Sequence, residues 1–325
     1  MSKKIVIWLL ATLLATAPLA EAQQQAKIIK IGWLVAGAGR SPQFESYKKA
    51  LRALGYIEGK NIAFEFRFPE EGKLERLPAL ADELVRLKVD VFVAISTSVA
   101  LAAKNATRTI PIVFTSGGDP VAVGLVDSLA RPGGNLTGFS TIAEELAGKR
   151  LELLKETVPK LSRVAVLWDP RSAGSAPQWK ESQLPARELG LQLHSMEVSS
   201  ADKFEISFKE AIKARSAALA VTSGSINTSN HKRIADLALK HRLPAISRWG
   251  EFVASGGLMS YAGDEAESYK RVAYLIDRIL KGAKPAELPV ERPMGFEFTI
   301  NLKTAKALGL TIPPIVLMRA TKVIK

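Results

Sequence analysis

Apolar positions along the chain fall into two alternating kinds of run. Ile31-Gly32-Trp33-Leu34-Val35 is continuous, as a strand buried on both faces requires. Phe44 to Leu54 then carries apolar residues at helical spacing and stops at Gly55, a residue suited to a helix C-terminus. Asn61 to Phe68 alternates as a second strand, Leu77 to Leu87 is helical, Val89 to Ile95 is again continuous, and Pro111-Ile112-Val113-Phe114 follows. Beyond residue 140 the order resumes with helix Ala147 to Glu156, strand Val164 to Trp168, helix Lys180 to Leu189 and strand Leu191 to Val198. Helix Phe204 to Ala214, strand Ala218 to Val221, helix Asn230 to His241 and strand Pro244 to Ser247 complete it. This order predicts an α/β fold of parallel sheets covered by helices on both faces. Ile110-Pro111-Ile112-Val113 and Leu243-Pro244-Ala245-Ile246 each follow a helix that follows an apolar strand, an internal echo that predicts two similar lobes.

The first residues read differently. Lys3 and Lys4 precede an apolar run from Ile5 to Ala17, and Ala20-Glu21-Ala22 places small residues where a signal peptidase reads them. The run is shorter than the roughly 20 residues that span a bilayer, so the expectation is an export signal cleaved after Ala22 and a periplasmic mature chain. The remaining length suits two domains at about 150 residues each. With no cysteine, disulfides, thiolate nucleophiles, zinc-cysteine sites and iron-sulfur clusters are excluded. A net charge of +13 raises the question of a polyanion partner, but the basic residues are dispersed, as in Lys48, Lys49, Arg52 and Lys149, Arg150, Lys155. A solvated positive surface is the expectation, with no nucleic-acid partner.

In doubly wound sheets, ligands bind beyond the carboxyl ends of the strands, where helix starts present free amides. Those ends are rich in hydroxyls here: Ser96-Thr97-Ser98, then Thr115-Ser116-Gly117-Gly118-Asp119-Pro120, then Thr222-Ser223-Gly224-Ser225. Each could cap its helix or hold a small anion such as a carboxylate. Asp119, Asp169, Glu251 and Asp264 are candidate partners for a ligand ammonium, and Phe139, Trp168, Trp249 and Tyr261 could wall a ring. Catalysis finds little support. His194, His231 and His241 have no metal or triad spacing, Gly37-Ala38-Gly39 lacks the rest of a dinucleotide fingerprint, and neither a phosphate loop nor a nucleophile elbow is present. No enzyme activity, cofactor or metal is expected.

Longer segments carry a resemblance. Ile110-Pro111-Ile112-Val113-Phe114 with Gly117-Gly118-Asp119-Pro120-Val121, Arg131-Pro132-Gly133-Gly134-Asn135-Leu136-Thr137-Gly138, Gly256-Gly257-Leu258-Met259-Ser260-Tyr261 and Ile300-Asn301-Leu302-Lys303-Thr304-Ala305 resemble the ABC-transporter substrate-binding protein family related to tryptophan/tyrosine binders. The resemblance implies a type I periplasmic binding protein fold, with two Rossmann-like lobes joined by three hinge crossovers. Residues 27–138 with 263–296 would form one lobe and 139–262 with 297–325 the other. It implies a cleft lined by Ala36, Gly37, Ser41, Ser96, Thr97, Ser98, Thr115, Ser116, Gly117, Asp119, Phe139, Trp168, Asp169, Thr222, Ser223, Gly224, Trp249 and Glu251. A small solute, first an amino acid with its carboxylate on the hydroxyl cups and its ammonium near Asp119, would be captured by lobe closure and delivered to a membrane permease. A monomer is expected. A receptor docking on a membrane sensor, or an exported hydrolase, are the alternatives.

Overall fold

The computed structural model describes residues 28–37, 42–70 and 73–325; the expected export signal and Ser41 lie outside the described residues. Two sheets carry the architecture. The first joins β1 (Ile29–Val35), β2 (Ile62–Arg67), β3 (Val91–Ile95), β4 (Ile112–Ser116) and β5 (Leu136–Ser140) in the order β2-β1-β3-β4-β5, every pair parallel. The second joins β6 (Arg163–Trp168), β7 (Gln192–Glu197), β8 (Ala218–Val221), β9 (Ala245–Ser247), β10 (Met259–Gly263), β11 (Phe296–Asn301) and β12 (Lys322–Ile324) in the order β12-β11-β10-β9-β8-β6-β7. It departs from the all-parallel expectation at one place, where β10 and β11 run antiparallel with Met259 opposite Ile300.

Helices pack on both faces of each sheet, as continuous apolar strands demand. In the first, α1 (Pro42–Ala53) lies on one face while α2 (Leu77–Arg86) and α3 (Thr97–Ala106) lie on the other. In the second, α4 (Ala147–Thr157), α5 (Ala176–Glu188), α6 (Phe204–Lys213), α7 (Ser225–Ser229), α8 (His231–Lys240) and α9 (Gly250–Ala254) fill the connections. The long α10 (Glu265–Leu280) follows β10 in sequence yet packs on the first sheet: Val272, Leu275 and Ile276 share a core with Ile31, Trp33, Phe44, Leu51, Val91 and Val93. Its start is capped by Asp264, whose Oδ1 accepts from the amides of Ala266 and Glu267 at 2.8 and 3.1 Å.

The chain therefore passes between the sheets after Ser140, after Gly263, and again before Phe296. Pairing places Phe139 and Ser140 with the first sheet, through Thr115 and Ser116, and Gly263 with Phe296 in the second. Arg150 on α4 is buried and braces two of these passages: Nη1 donates to Ala143 O and Nε to Tyr261 O, each at 3.0 Å. Ion pairs Arg271–Glu291 and Arg292–Glu145 flank the third.

The two halves also share a local device. Ser96, which caps α3, has φ +115°, and Gly224, which precedes α7, has φ +152°; both stand where a strand turns into a helix facing the other lobe. A β-carbon is tolerated in this unfavourable region at Ser96, whose Oγ accepts from Val99 N at 3.4 Å.

Candidate functional site

The ends of β1, β3 and β4 face the ends of β6, β8 and β9 across a cavity of about 270 Å³. Direct contacts bridge its rim. Ala173 N donates to Ser98 Oγ at 3.3 Å, and Gln43 Nε2 donates to Glu251 Oε1 at 3.4 Å. The walls differ from end to end. At one end Thr97, Ser98, Thr115, Ser116 and Gly117 meet Ser172, Gly174, Ser223, Gly224 and Ser225. At the other, Trp33, Phe44 and Tyr47 meet Arg248, Trp249, Glu265, Ser268 and Tyr269.

Many hydroxyls of the first end are already engaged. Thr97 Oγ1 and Ser116 Oγ lie 3.0 Å apart, Gly117 N donates to Thr97 Oγ1 at 3.3 Å, and Ser116 Oγ donates to Gly118 O at 2.9 Å. Ser223 differs: its amide donates to Gln178 Oε1 at 3.1 Å, but its buried Oγ has no partner among the described residues. A hydroxyl shut from water and unpaired costs free energy unless a ligand atom meets it.

The second end holds charge. Arg248 follows β9, is 7% exposed, and lays its guanidinium 3.7 Å from the Trp249 ring centre. Its Nε has no hydrogen-bond partner, and it makes no ion pair within 4 Å among the described residues. Burial pulls its pKa below the ordinary 12.5, so the site holds a cation at a desolvation cost. Glu265 opens α10 and accepts from Tyr269 Oη at 3.1 Å through Oε2, while Oε1 is buried and without a partner among the described residues. Burial first, and then the neighbouring Glu251 carboxylate, lift its pKa from 4.5 to about 7, against the pull of Arg248. Tyr47 and Tyr269 pack edge to face at 4.6 Å, and burial raises both phenols, keeping them neutral. His231 stands behind Trp249 with its rings 6.2 Å apart, and burial lowers its pKa to about 4, so it too is neutral.

Of the residues expected at the cleft, Ala36, Gly37, Ser96, Thr97, Ser98, Thr115, Ser116, Gly117, Ser223, Gly224 and Trp249 stand on this wall. Others are engaged elsewhere. Asp119 is exposed and holds its own turn, its Oδ1 accepting from Val121 N at 2.8 Å. Phe139 is 1% exposed within the core beneath α10. Trp168 stacks on Trp179 at 5.6 Å and donates from Nε1 to Ser195 Oγ at 2.8 Å. Asp169 accepts from Arg171 N at 2.9 Å and pairs with the Arg171 side chain. Thr222 lies behind the wall, donating to Leu167 O at 2.9 Å and lying 2.6 Å from Ser175 Oγ. Glu251 reaches the rim only through Gln43.

Arg248, Glu265, Tyr47 and Tyr269 were not singled out from sequence, though signals existed. Arg248 directly follows a buried strand. Glu265, Tyr269, Val272 and Ile276 recur at helical spacing, which sets a carboxylate on the stripe that enters the core.

Several known proteins are similar to this chain over most of its length. The chain is 28% identical over 284 residues to a tyrosine-binding protein of Clostridioides difficile, covering 87% of this chain and 81% of that one. A solved structure from Streptococcus pneumonia, described as an ABC domain in complex with L-Trp, superposes with a TM-score of 0.79 at 26% identity, covering 90% of this chain and 100% of that one. The ligand-free, open structure of a Clostridium difficile substrate binding protein with adhesive properties gives 0.63 at 25% identity, covering 92% and 99%. The architecture is that of type I periplasmic binding proteins. The model of one family, ABC transporter substrate binding protein, matches residues 28–324, and the chain belongs to that family.

Proposed function

We propose that this substrate-binding protein captures a free amino acid bearing a ring in the cleft between its lobes and delivers it, closed, to the permease of an ABC importer. The observation that carries this reading is a cavity lined by groups from both sheets. It holds unpaired polar atoms of both charge signs, Arg248 Nε and Glu265 Oε1, together with aromatic walls. A zwitterion satisfies both charges without adding net charge, and a planar side chain suits rings at edge-to-face separations.

The named ligands of two relatives, tyrosine and L-Trp, support the same class. The TM-score is higher against the L-Trp complex than against the open form at nearly equal identity, which supports reading the present lobes as closed. Binding would then bias an open-closed equilibrium about the three passages, creating the surface a permease reads. The mature chain would begin near Gln23 in the periplasm and act as a monomer.

Isothermal titration and thermal shift with the twenty amino acids, sugars and small dicarboxylates test the reading. L-tyrosine or L-tryptophan should raise the melting temperature, by about 2.7 kcal/mol of stability at a hundredfold excess over Kd. A sugar or dicarboxylate that binds while every amino acid fails would overturn the ligand class.

A further inference from the structure

The cleft has two polar ends, and only one of them carries unpaired charge. We propose that an amino-acid ligand enters with its α-carboxylate on the Arg248 guanidinium and its α-ammonium on Glu265 Oε1, leaving the hydroxyl end around Ser223 to the polar tip of its side chain. This rests on the amino-acid reading above and reverses the orientation that the hydroxyl cups suggest from sequence.

Three observations carry the orientation. First, Arg248 is buried, lies 3.7 Å from the Trp249 ring centre and has no acceptor among the described residues, so its guanidinium fork is unmet there. A bidentate carboxylate matches such a fork, whereas hydroxyls do not. Second, Glu265 is anchored by one oxygen to Tyr269 and offers the other, and Tyr47, Tyr269, Glu251, Glu297 and Arg248 are the titratable groups that act on it or on its partner phenols. Among these only Arg248 is cationic, and it forms no ion pair with Glu265 within 4 Å, so a ligand cation has an unoccupied carboxylate oxygen to meet. Third, the opposite end is uncharged and partly engaged: Thr97 and Ser116 bond each other, Ser96 caps α3, and Ser98 accepts from Ala173 across the rim. What remains there is neutral: Ser223 Oγ, which is orphaned, and the lining hydroxyls of Thr115, Ser172 and Ser225, suited to a phenol or an indole N–H and carrying no charge to match the Arg248 fork.

The two elements that bear the charges belong to different halves. Arg248 ends a strand of the second sheet, and Glu265 begins the helix that completes the first. A zwitterionic head placed between them would link the lobes through its own two charges, so recognition and closure become one event. An analogue lacking either charge would leave a buried protein ion uncompensated, which is far costlier than losing a surface contact.

Titration calorimetry with three probes tests this: L-tyrosine, tyramine, which lacks the carboxylate, and 3-(4-hydroxyphenyl)propionate, which lacks the ammonium. The wild type should prefer L-tyrosine over each by roughly a hundredfold or more. Arg248→Gln should remove the preference over tyramine while keeping most of that over the propionate, and Glu265→Gln should do the converse; Arg248→Lys should restore part of the carboxylate preference. Ser223→Ala should weaken L-tyrosine by several-fold and leave L-phenylalanine unchanged. Thermal melts establish that each variant is folded, and Ser223→Ala, a small change at the other end, keeps the orientation testable if an Arg248 variant is not. If amino acids bind and the preferences survive both charge substitutions, the orientation is refuted while the amino-acid reading stands. If no amino acid binds the wild type, that reading falls and this one with it.

Discussion

Replacing Glu265 by Gln should stabilise the ligand-free protein while abolishing its preference for an ammonium group. The folded protein holds the Glu265 proton more tightly than the unfolded chain does, with a pKa of about 7 against an ordinary 4.5. Wild-type stability contributed by this group is therefore intact below pH 4.5, falls as pH rises from 4.5 to about 7, and stays at the reduced level above that. At about 1.4 kcal/mol per pH unit, the ceiling of the loss is about 3 kcal/mol, and side-chain relaxation toward the cavity brings the expectation to about 1–3 kcal/mol. Glutamine keeps the shape, accepts from Tyr269 Oη and cannot ionise, so it escapes this cost. The assay is thermal denaturation of refolded, ligand-free wild type and variant at pH 4.5, 6 and 8. The two should coincide at the lowest pH and separate progressively, with a gain for the variant on the order of 5 °C in melting temperature at pH 8. A gap that is the same at every pH, or a variant less stable at pH 8, would show that the carboxyl is not held in a desolvated, ligand-awaiting state.

Other expectations follow from the same geometry. The affinity for L-tyrosine should rise about tenfold per pH unit up to about 7 and then level, because Glu265 must lose its proton to meet an ammonium, and Glu265→Gln should flatten the profile; calorimetry in buffers of different ionisation enthalpy reads the released proton. Asp119→Ala should cost about 1 kcal/mol through loss of the turn bond to Val121 N and leave ligand affinity unchanged, as measured by denaturation and titration together. Phe139→Ala should cost about 3–5 kcal/mol as a core cavity with no change in ligand preference. Gly138→Ala should be worse tolerated still, because its Cβ would stand 2.2 Å from Phe114 O on the neighbouring strand, and the yield of folded protein measures it.

The strand-helix order was legible because the buried strands are continuous apolar runs and several helices end at glycines. Both signals are local, as Val91–Ile95 and Gly55 illustrate. The antiparallel β10–β11 pair was not, since direction follows from where α10 goes, a tertiary choice. Half of the wall was legible for the same local reason: Ser96 to Ser98 and Thr115 to Gly117 sit at strand ends whatever the neighbours do. The misplaced candidates share one cause. Asp119, Asp169 and Trp168 also follow strands, but each finds a partner within a few residues or in the adjacent strand, and side-chain direction after a turn is not encoded in spacing. Glu265 was hidden for the opposite reason, as an acid in the first turn of a helix normally serves the dipole and is solvated. Only the packing of α10 against α1 turns it inward.

That packing also sets the order in which the molecule can be assembled. Residues 29–140 build a complete parallel sheet, yet the face bearing Ile31, Trp33, Val91 and Val93 stays half uncovered until Val272, Leu275 and Ile276 arrive. A chain emerging from its N-terminus must carry that greasy surface through the synthesis of the entire second sheet up to β10. Such a half-built core is a natural client for chaperones that hold unfolded chains, and it makes folding of the first lobe wait on the second.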